Sequence, residues 1–172
     1  RSLRLKPDKF MRTKNHDYTL TFWFRTNDEN ATLFSNGEAK RDQDDQINIG
    51  VKDRKLYVRS QGFEKETSAF VSEGSWHHFA MTVSRSQNVS NVYVDKRLVE
   101  SFPADSVAGI VGDHIALGAT YVDKNTPTNV MNGHIDELGM FESVLPLNLI
   151  KEYSNHTPLG TMSAMLAYLD FG

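Results

Sequence analysis

The chain has 172 residues, 19 of them basic and 22 acidic, for a net charge of -3. That length suits one domain with a two-sheet core, or one domain plus the start of another, and mixed, near-neutral charge argues against a nucleic-acid binder, which would carry a basic stripe. The absence of cysteine excludes disulfides, thiolate chemistry and Cys-ligated zinc, and no apolar run approaches the roughly 18 residues of a membrane-spanning helix.

In chain order the pattern is that of strands. Residues 2–5 alternate through Leu3 and Leu5 and predict a short first strand. The chain opens in mid-pattern, so a mature or excised fragment is expected. Residues 18–25 give the strongest strand: Tyr18, Leu20, Phe22 and Phe24 share one face, and Thr19, Thr21, Trp23 and Arg25 the other. Residues 31–34 predict another strand, ending in the turn Ser35-Asn36-Gly37. A charged loop with Glu38, Asp42, Asp44 and Asp45 follows; it lacks EF-hand spacing and reads as solvated. Residues 47–51 and 55–59 predict a hairpin across Lys52-Asp53-Arg54, and 61–70 a weak edge pattern.

The central hairpin comes next. In residues 74–83, GSWHHFAMTV, Phe79, Met81 and Val83 face one way and His78, Ala80 and Thr82 the other. Its partner, residues 91–102, turns tightly at Asp95-Lys96. A strand is expected at 115–118, a loop at 119–132 and a strand at 133–141. Residues 145–153 break the rhythm: Leu147, Ile150 and Tyr153 recur every three positions after Pro146, which predicts a short helix. Residues 162–171 read as a last strand, either closing this sandwich or opening a following module. Strands every 8 to 12 residues or so, with turn signals between them, predict an all-β fold with one small helix.

Several of these stretches resemble one family. The segment Gly74-Ser75-Trp76-His77-His78-Phe79, the strand Val92-Tyr93-Val94-Asp95, the early strand TLTFWF and the ending Gly133-His134-Ile135-Asp136-Glu137 followed by a helix are similar to laminin-G-like and pentraxin-like domains. The resemblance implies a two-sheet antiparallel jelly-roll sandwich of the concanavalin A type, with the domain over 1–160 and a closing strand or following module over 161–172.

Enzymes of this fold place acidic residues in an E-x-D-x-E-like pattern on one strand, so that two carboxylates flank a glycosidic bond. Here the leading position is His134, and Leu138 and Met140 are apolar, so the acid/base pair is missing and no enzyme is expected. No G-x-S-x-G elbow and no phosphate-cradling glycine loop is present. His77 and His78 point to opposite faces of a strand and cannot chelate one metal together; one of them is expected to pack beside Trp76. Strand parity puts Asp136 on the face of Leu138 and Met140. It then either accepts hydrogen bonds from nearby backbone N–H groups or, as the resemblance implies, holds one structural calcium.

Sugar binding needs an aromatic face and polar groups for hydroxyls. The 119–132 loop offers Tyr121, Asp123, Asn125, Asn129 and Asn132 close together. Tyr121 either contacts a ligand or anchors its loop, and Trp23 either lies on a sheet face or packs under the helix or tail. Three sequons, at Asn30, Asn88 and Asn155, do not settle an origin. The resemblance implies an extracellular or cell-surface module of a larger protein. Its partner is a glycan, or alternatively an extracellular protein, with neighbouring domains on the same chain and no insertion into a membrane.

Overall fold

The computed structural model describes residues 16–37, 47–60, 62–110, 115–121 and 125–155 in full, and the backbone of 3–5 and 165–169. The acidic loop carrying Asp42, Asp44 and Asp45 lies outside the described residues.

Two six-stranded antiparallel sheets are built from strands numbered in chain order. The first sheet contains β1 (Leu3–Leu5), β3 (Ala31–Asn36), β4 (Ile47–Lys52), β5 (Lys55–Ser60), β6 (Phe63–Phe70) and β10 (Ile115–Leu117), in the order β1-β10-β3-β4-β5-β6. The second contains β2 (Tyr18–Thr26), β7 (His77–Ser84), β8 (Val89–Val94), β9 (Arg97–Phe102), β13 (Gly133–Phe141) and β14 (Met165–Leu169), in the order β14-β13-β2-β7-β8-β9. A small hairpin, β11 (Thr120–Tyr121) and β12 (Pro127–Thr128), stands apart, and α1 (Leu147–Tyr153) is a helix of two turns. This is the expected all-β jelly-roll sandwich with one short helix.

The core follows from strand parity. Tyr18, Leu20, Phe22 and Phe24 of β2 are fully buried between the sheets, with Phe79, Met81 and Val83 of β7 beside them. Leu33, Phe34, Ile47, Ile49, Leu56 and Val58 close the core from the first sheet. Phe22 stacks on Phe79 with ring centroids 4.8 Å apart and on Phe34 of the opposite sheet at 6.5 Å. The outward face of β7 and β13 is apolar at one end only, where Ala80, Phe141 and Leu145 receive Ile150 and Tyr153 of α1. Pro146 is itself extended, with φ of -66° and ψ of 154°, so the helix begins at Leu147 rather than at 145.

The tight turns at Asp53-Arg54 and Asp95-Lys96 both have positive φ at their two central residues, as two-residue hairpins require. At the second turn the two family-like stretches are clasped. Asp95 accepts a bond from the His78 backbone N–H at 2.9 Å and pairs with His77 Nδ1 at 2.7 Å, while His77 Nε2 meets Glu73.

Phe22→Ala removes the ring shared by both sheets and is expected to cost about 3–5 kcal/mol in urea unfolding; a loss under about 1 kcal/mol would show that the sheets do not depend on it. His77 supplies a pH test. Burial lowers its pKa, but its bonds and charge interactions with Asp95 and Glu73 outweigh this and leave the value raised. Its stabilising contribution is therefore complete below the ordinary value of 6.5 and lost as pH rises through the raised folded value. Unfolding of wild type and His77→Gln, followed between about pH 5 and pH 9, should converge toward the alkaline end. A constant gap between the two curves would remove this ionisation from the account.

Candidate functional site

The outward face of the first sheet is polar and partly covered. Thr32, Ser35, Asn48, Tyr57, Arg59 and Glu64 alternate with the core residues of β3 to β6, so they point away from the core. The β11–β12 hairpin folds onto the Thr32 side of this face. Thr120 Oγ1 is 2.9 Å from Thr32 Oγ1 and accepts from Asn48 Nδ2 at 3.0 Å, and Ser35 Oγ donates to the Ala119 carbonyl at 2.8 Å. The Thr32 N–H bonds the Asn129 carbonyl at 3.0 Å, which fixes the returning arm.

Beside this hairpin lies an open cleft of about 220 Å³, whose polar lining includes Asn30, Lys52, Tyr57, Arg59, Glu64 and Asn129. Tyr57 lines its base, 7% exposed. The ring rests where a side chain on Gly50 would stand: a Cβ there would meet the Tyr57 ring at 2.8 Å. Burial raises the Tyr57 pKa, Arg59 counters this, and a hydrogen bond to Thr32 also lowers it. The Arg59 guanidinium lies 5.9 Å from the Tyr57 ring centroid. Lys52 donates to Glu64 at 2.6 Å, a bond that raises the lysine pKa. The cleft thus gathers amide, guanidinium and carboxylate groups over the edge of a buried tyrosine, groups that can bond sugar hydroxyls.

A second cleft, of about 520 Å³, opens at the end of the other sheet where β2 finishes, and Arg25, Asn27, Asp28, Asn132 and His134 are among its lining residues. Arg25 Nε donates to His134 Nδ1 at 3.1 Å, and its guanidinium sits 5.3 Å from the Trp76 ring centroid. Trp76 is 42% exposed. The two clefts flank the same two connections: Asn30 and Asn129 line the first, and Asn27, Asp28 and Asn132 the second.

The residues singled out from sequence fall in different places. Asn129 lines the first cleft. Tyr121 is half-buried in the hairpin wall, opposite Pro127, and Asn125 is exposed between β11 and β12. Asp123 lies outside the described residues. The loop expected over 119–132 contains the β11–β12 pairing, two residues a side, too short for a hydrophobic period to reveal. Trp23 lies on the outward face of the second sheet, edge-on to His78 with ring centroids 5.2 Å apart. The ring beside Trp76 is His134, at 6.2 Å, where one of the paired histidines was expected. Tyr57 and Arg59 were not singled out from sequence, although their parity opposite Leu56 and Val58 marks them as outward-facing; Arg25, expected on the outward face of β2, lines the second cleft.

Asp136 requires a correction. It pairs with Trp23, while Gly139 pairs with Thr21, so β13 carries one extra residue at this point. Glu137 occupies the bulge with φ of 52°. The bulge reverses parity: Leu138 and Met140 enter the core, and Asp136 shares the outward face of Trp23. Asp136 Oδ1 accepts the Glu137 N–H at 2.8 Å. Among the described residues no three His, Asp or Glu side chains gather as metal ligands would.

Two facing antiparallel sheets, with clefts on their outward faces, define a concanavalin A-type β-sandwich. Residues 3–151 match a laminin-G family of the concanavalin A-like lectin/glucanases superfamily, and the chain belongs to that family. None of the curated proteins compared matches the chain. Among solved structures it is similar to the Ruminococcus gnavus IT-sialidase CBM40 bound to alpha2,3 sialyllactose, with 17% identity, TM-score 0.67, and 80% of this chain and 82% of that one covered. It is also similar to a native heptameric SAP-like pentraxin from Limulus polyphemus, with 14% identity, TM-score 0.67, and 98% and 84% covered. A third similar structure is mouse laminin alpha1 domains LG4-5, with 16% identity and TM-score 0.63; 86% of this chain matches 40% of that one. At these identities the likeness concerns the fold.

The bond to Glu137 gives Asp136 a structural role that needs no metal. On that role a chelator leaves the melting temperature unchanged, and Asp136→Ala costs about 1 kcal/mol. A chelator-induced fall in melting temperature that Asp136→Ala abolishes would instead establish calcium there.

Proposed function

We propose that this chain is a non-catalytic glycan-binding module of a larger secreted or cell-surface protein. The observation that carries this reading is the cleft beside the β11–β12 hairpin. Tyr57, 7% exposed, lines its base, and Asn30, Asn129, Arg59 and Glu64 offer groups for hydroxyls around it. The similar CBM40 structure is, by its description, a sialyllactose complex of a carbohydrate-binding module, which adds support at the level of the class.

The non-catalytic part rests on carboxylate count. Glycoside hydrolysis uses two carboxyl groups, about 5 to 10 Å apart, across one bond. Among the described residues Glu64 is the one acidic residue lining this cleft, and it is bonded to Lys52. Among the described residues Asp28 is the one acidic residue lining the other. On β13, Asp136 and Glu137 are consecutive at the bulge, with the Glu137 N–H bonded to Asp136. An extracellular or surface location fits the family; none of the helices among the described residues is long and apolar enough to cross a membrane.

A glycan array probed with the purified chain should give reproducible hits. Tyr57→Phe and Asn129→Ala should each weaken them about tenfold or more without unfolding the domain, since losing one hydrogen bond to a ligand costs on the order of 1–3 kcal/mol. A blank array with the folded wild type would move the account to protein adhesion. Hits that both variants retain at full strength would remove this cleft from the account.

A further inference from the structure

The cleft at the end of the second sheet has a chemistry of its own. Arg25 is half-buried on β2, stacked toward Trp76 at 5.3 Å and tied through Nε to His134 Nδ1 at 3.1 Å. No carboxylate among the described residues lies within ion-pair distance of it. With Nε engaged, its two terminal nitrogens remain as a planar fork, the shape that accepts a carboxylate through two parallel bonds. His134 Nδ1 acts as acceptor, so the neutral ring carries its proton on Nε2 and adds a donor.

Among the described residues the acidic one in the lining is Asp28. Its Oδ2 accepts the Asn132 N–H at 2.6 Å, and its Oδ1 has no partner among the described residues. Gly74, with φ of 79°, leaves room for the Asn27 amide, which lies 2.9 Å from where a Cβ would stand. One fixed cation fork, one free carboxylate oxygen and two amides do not suit a bare anion, which Asp28 would repel. They suit a sugar ring that carries one anionic group on Arg25 and hydroxyls on Asp28 and the asparagines.

We propose that this cleft is a second saccharide site, selective for a sugar bearing one acidic group. A uronate carboxylate and a sulfate ester share that chemistry. The proposal rests on the glycan-binding reading but names different residues from the Tyr57 cleft, so the two fail separately.

The test is three parallel NMR titrations of the ¹⁵N-labelled chain at neutral pH, with glucose, glucuronic acid and glucose 6-sulfate. They share a hexose frame and differ at C6. The chain has two tryptophans, so the Trp76 indole signal is readily assigned against Trp23. Glucuronic acid is expected to shift the Trp76 indole and Arg25 Nε–H signals and to bind at least tenfold more tightly than glucose. Arg25→Gln should abolish that preference, and Arg25→Lys, which keeps the charge without the fork, should reduce it several-fold. Tyr57→Phe should leave it intact. Sulfate binding equal to uronate would support the site as one for either acidic group; tighter sulfate binding would assign it to sulfated glycans and weaker sulfate binding to uronates. Equal binding of glucose and glucuronic acid, a preference that survives Arg25→Gln, or shifts confined to the Tyr57 cleft would overturn the proposal. Should Arg25→Gln unfold, the wild-type Trp76 and Arg25 shifts decide the matter.

Discussion

The contact of Phe22 with Phe79 on its own sheet and Phe34 on the other is the constraint from which the remaining geometry follows. A strand alternates its side chains with period two, so burying Phe22 commits Tyr18, Leu20 and Phe24 to the same interior. It equally commits Trp23 and Arg25 to the opposite face. A slip of one residue would exchange four core side chains for Thr19, Thr21, Trp23 and Arg25. The position of the Arg25 guanidinium is thus set by the packing of its neighbours. The same logic on β5 buries Leu56 and Val58 and turns Tyr57 and Arg59 outward.

Both clefts arise where regular pairing stops. β2 ends at Thr26 and β3 begins at Ala31, and three of the four residues between them supply polar groups: Asn27 and Asp28 to one cleft, Asn30 to the other. The segment from Asn129 to Asn132, which leads into β13, does the same. These segments are held by specific bonds: the Asn132 N–H to Asp28, Thr26 Oγ1 to the Asn132 carbonyl, and the Thr32 N–H to the Asn129 carbonyl. Loops fixed in this way can present amides to a ligand without first being ordered, which lowers the entropic cost of binding.

The sheets were legible in the sequence because their cores alternate over long strands, β2 and β7 above all. The hairpin turns were legible from Asp53-Arg54 and Asp95-Lys96. The β11–β12 pairing was not, since two residues a side carry no period, and its position depends on the Thr120, Thr32 and Asn48 contacts between distant segments. The Asp136 parity was misread because a single bulge residue, Glu137, resets the alternation, and nothing in the local pattern announces it. The Tyr57 cleft was overlooked for a different reason. Its floor depends on Gly50, which is silent in a hydrophobicity pattern but leaves the space in which the ring lies.

The measurement that bears most directly on the central claim is a crystal structure of the domain soaked with the strongest oligosaccharide from the array. Sugar density is expected in the Tyr57 cleft, between the β11–β12 hairpin and Arg59, with Asn129 within hydrogen-bond distance. Density elsewhere on the sandwich, with the Tyr57 cleft filled by solvent alone, would contradict it.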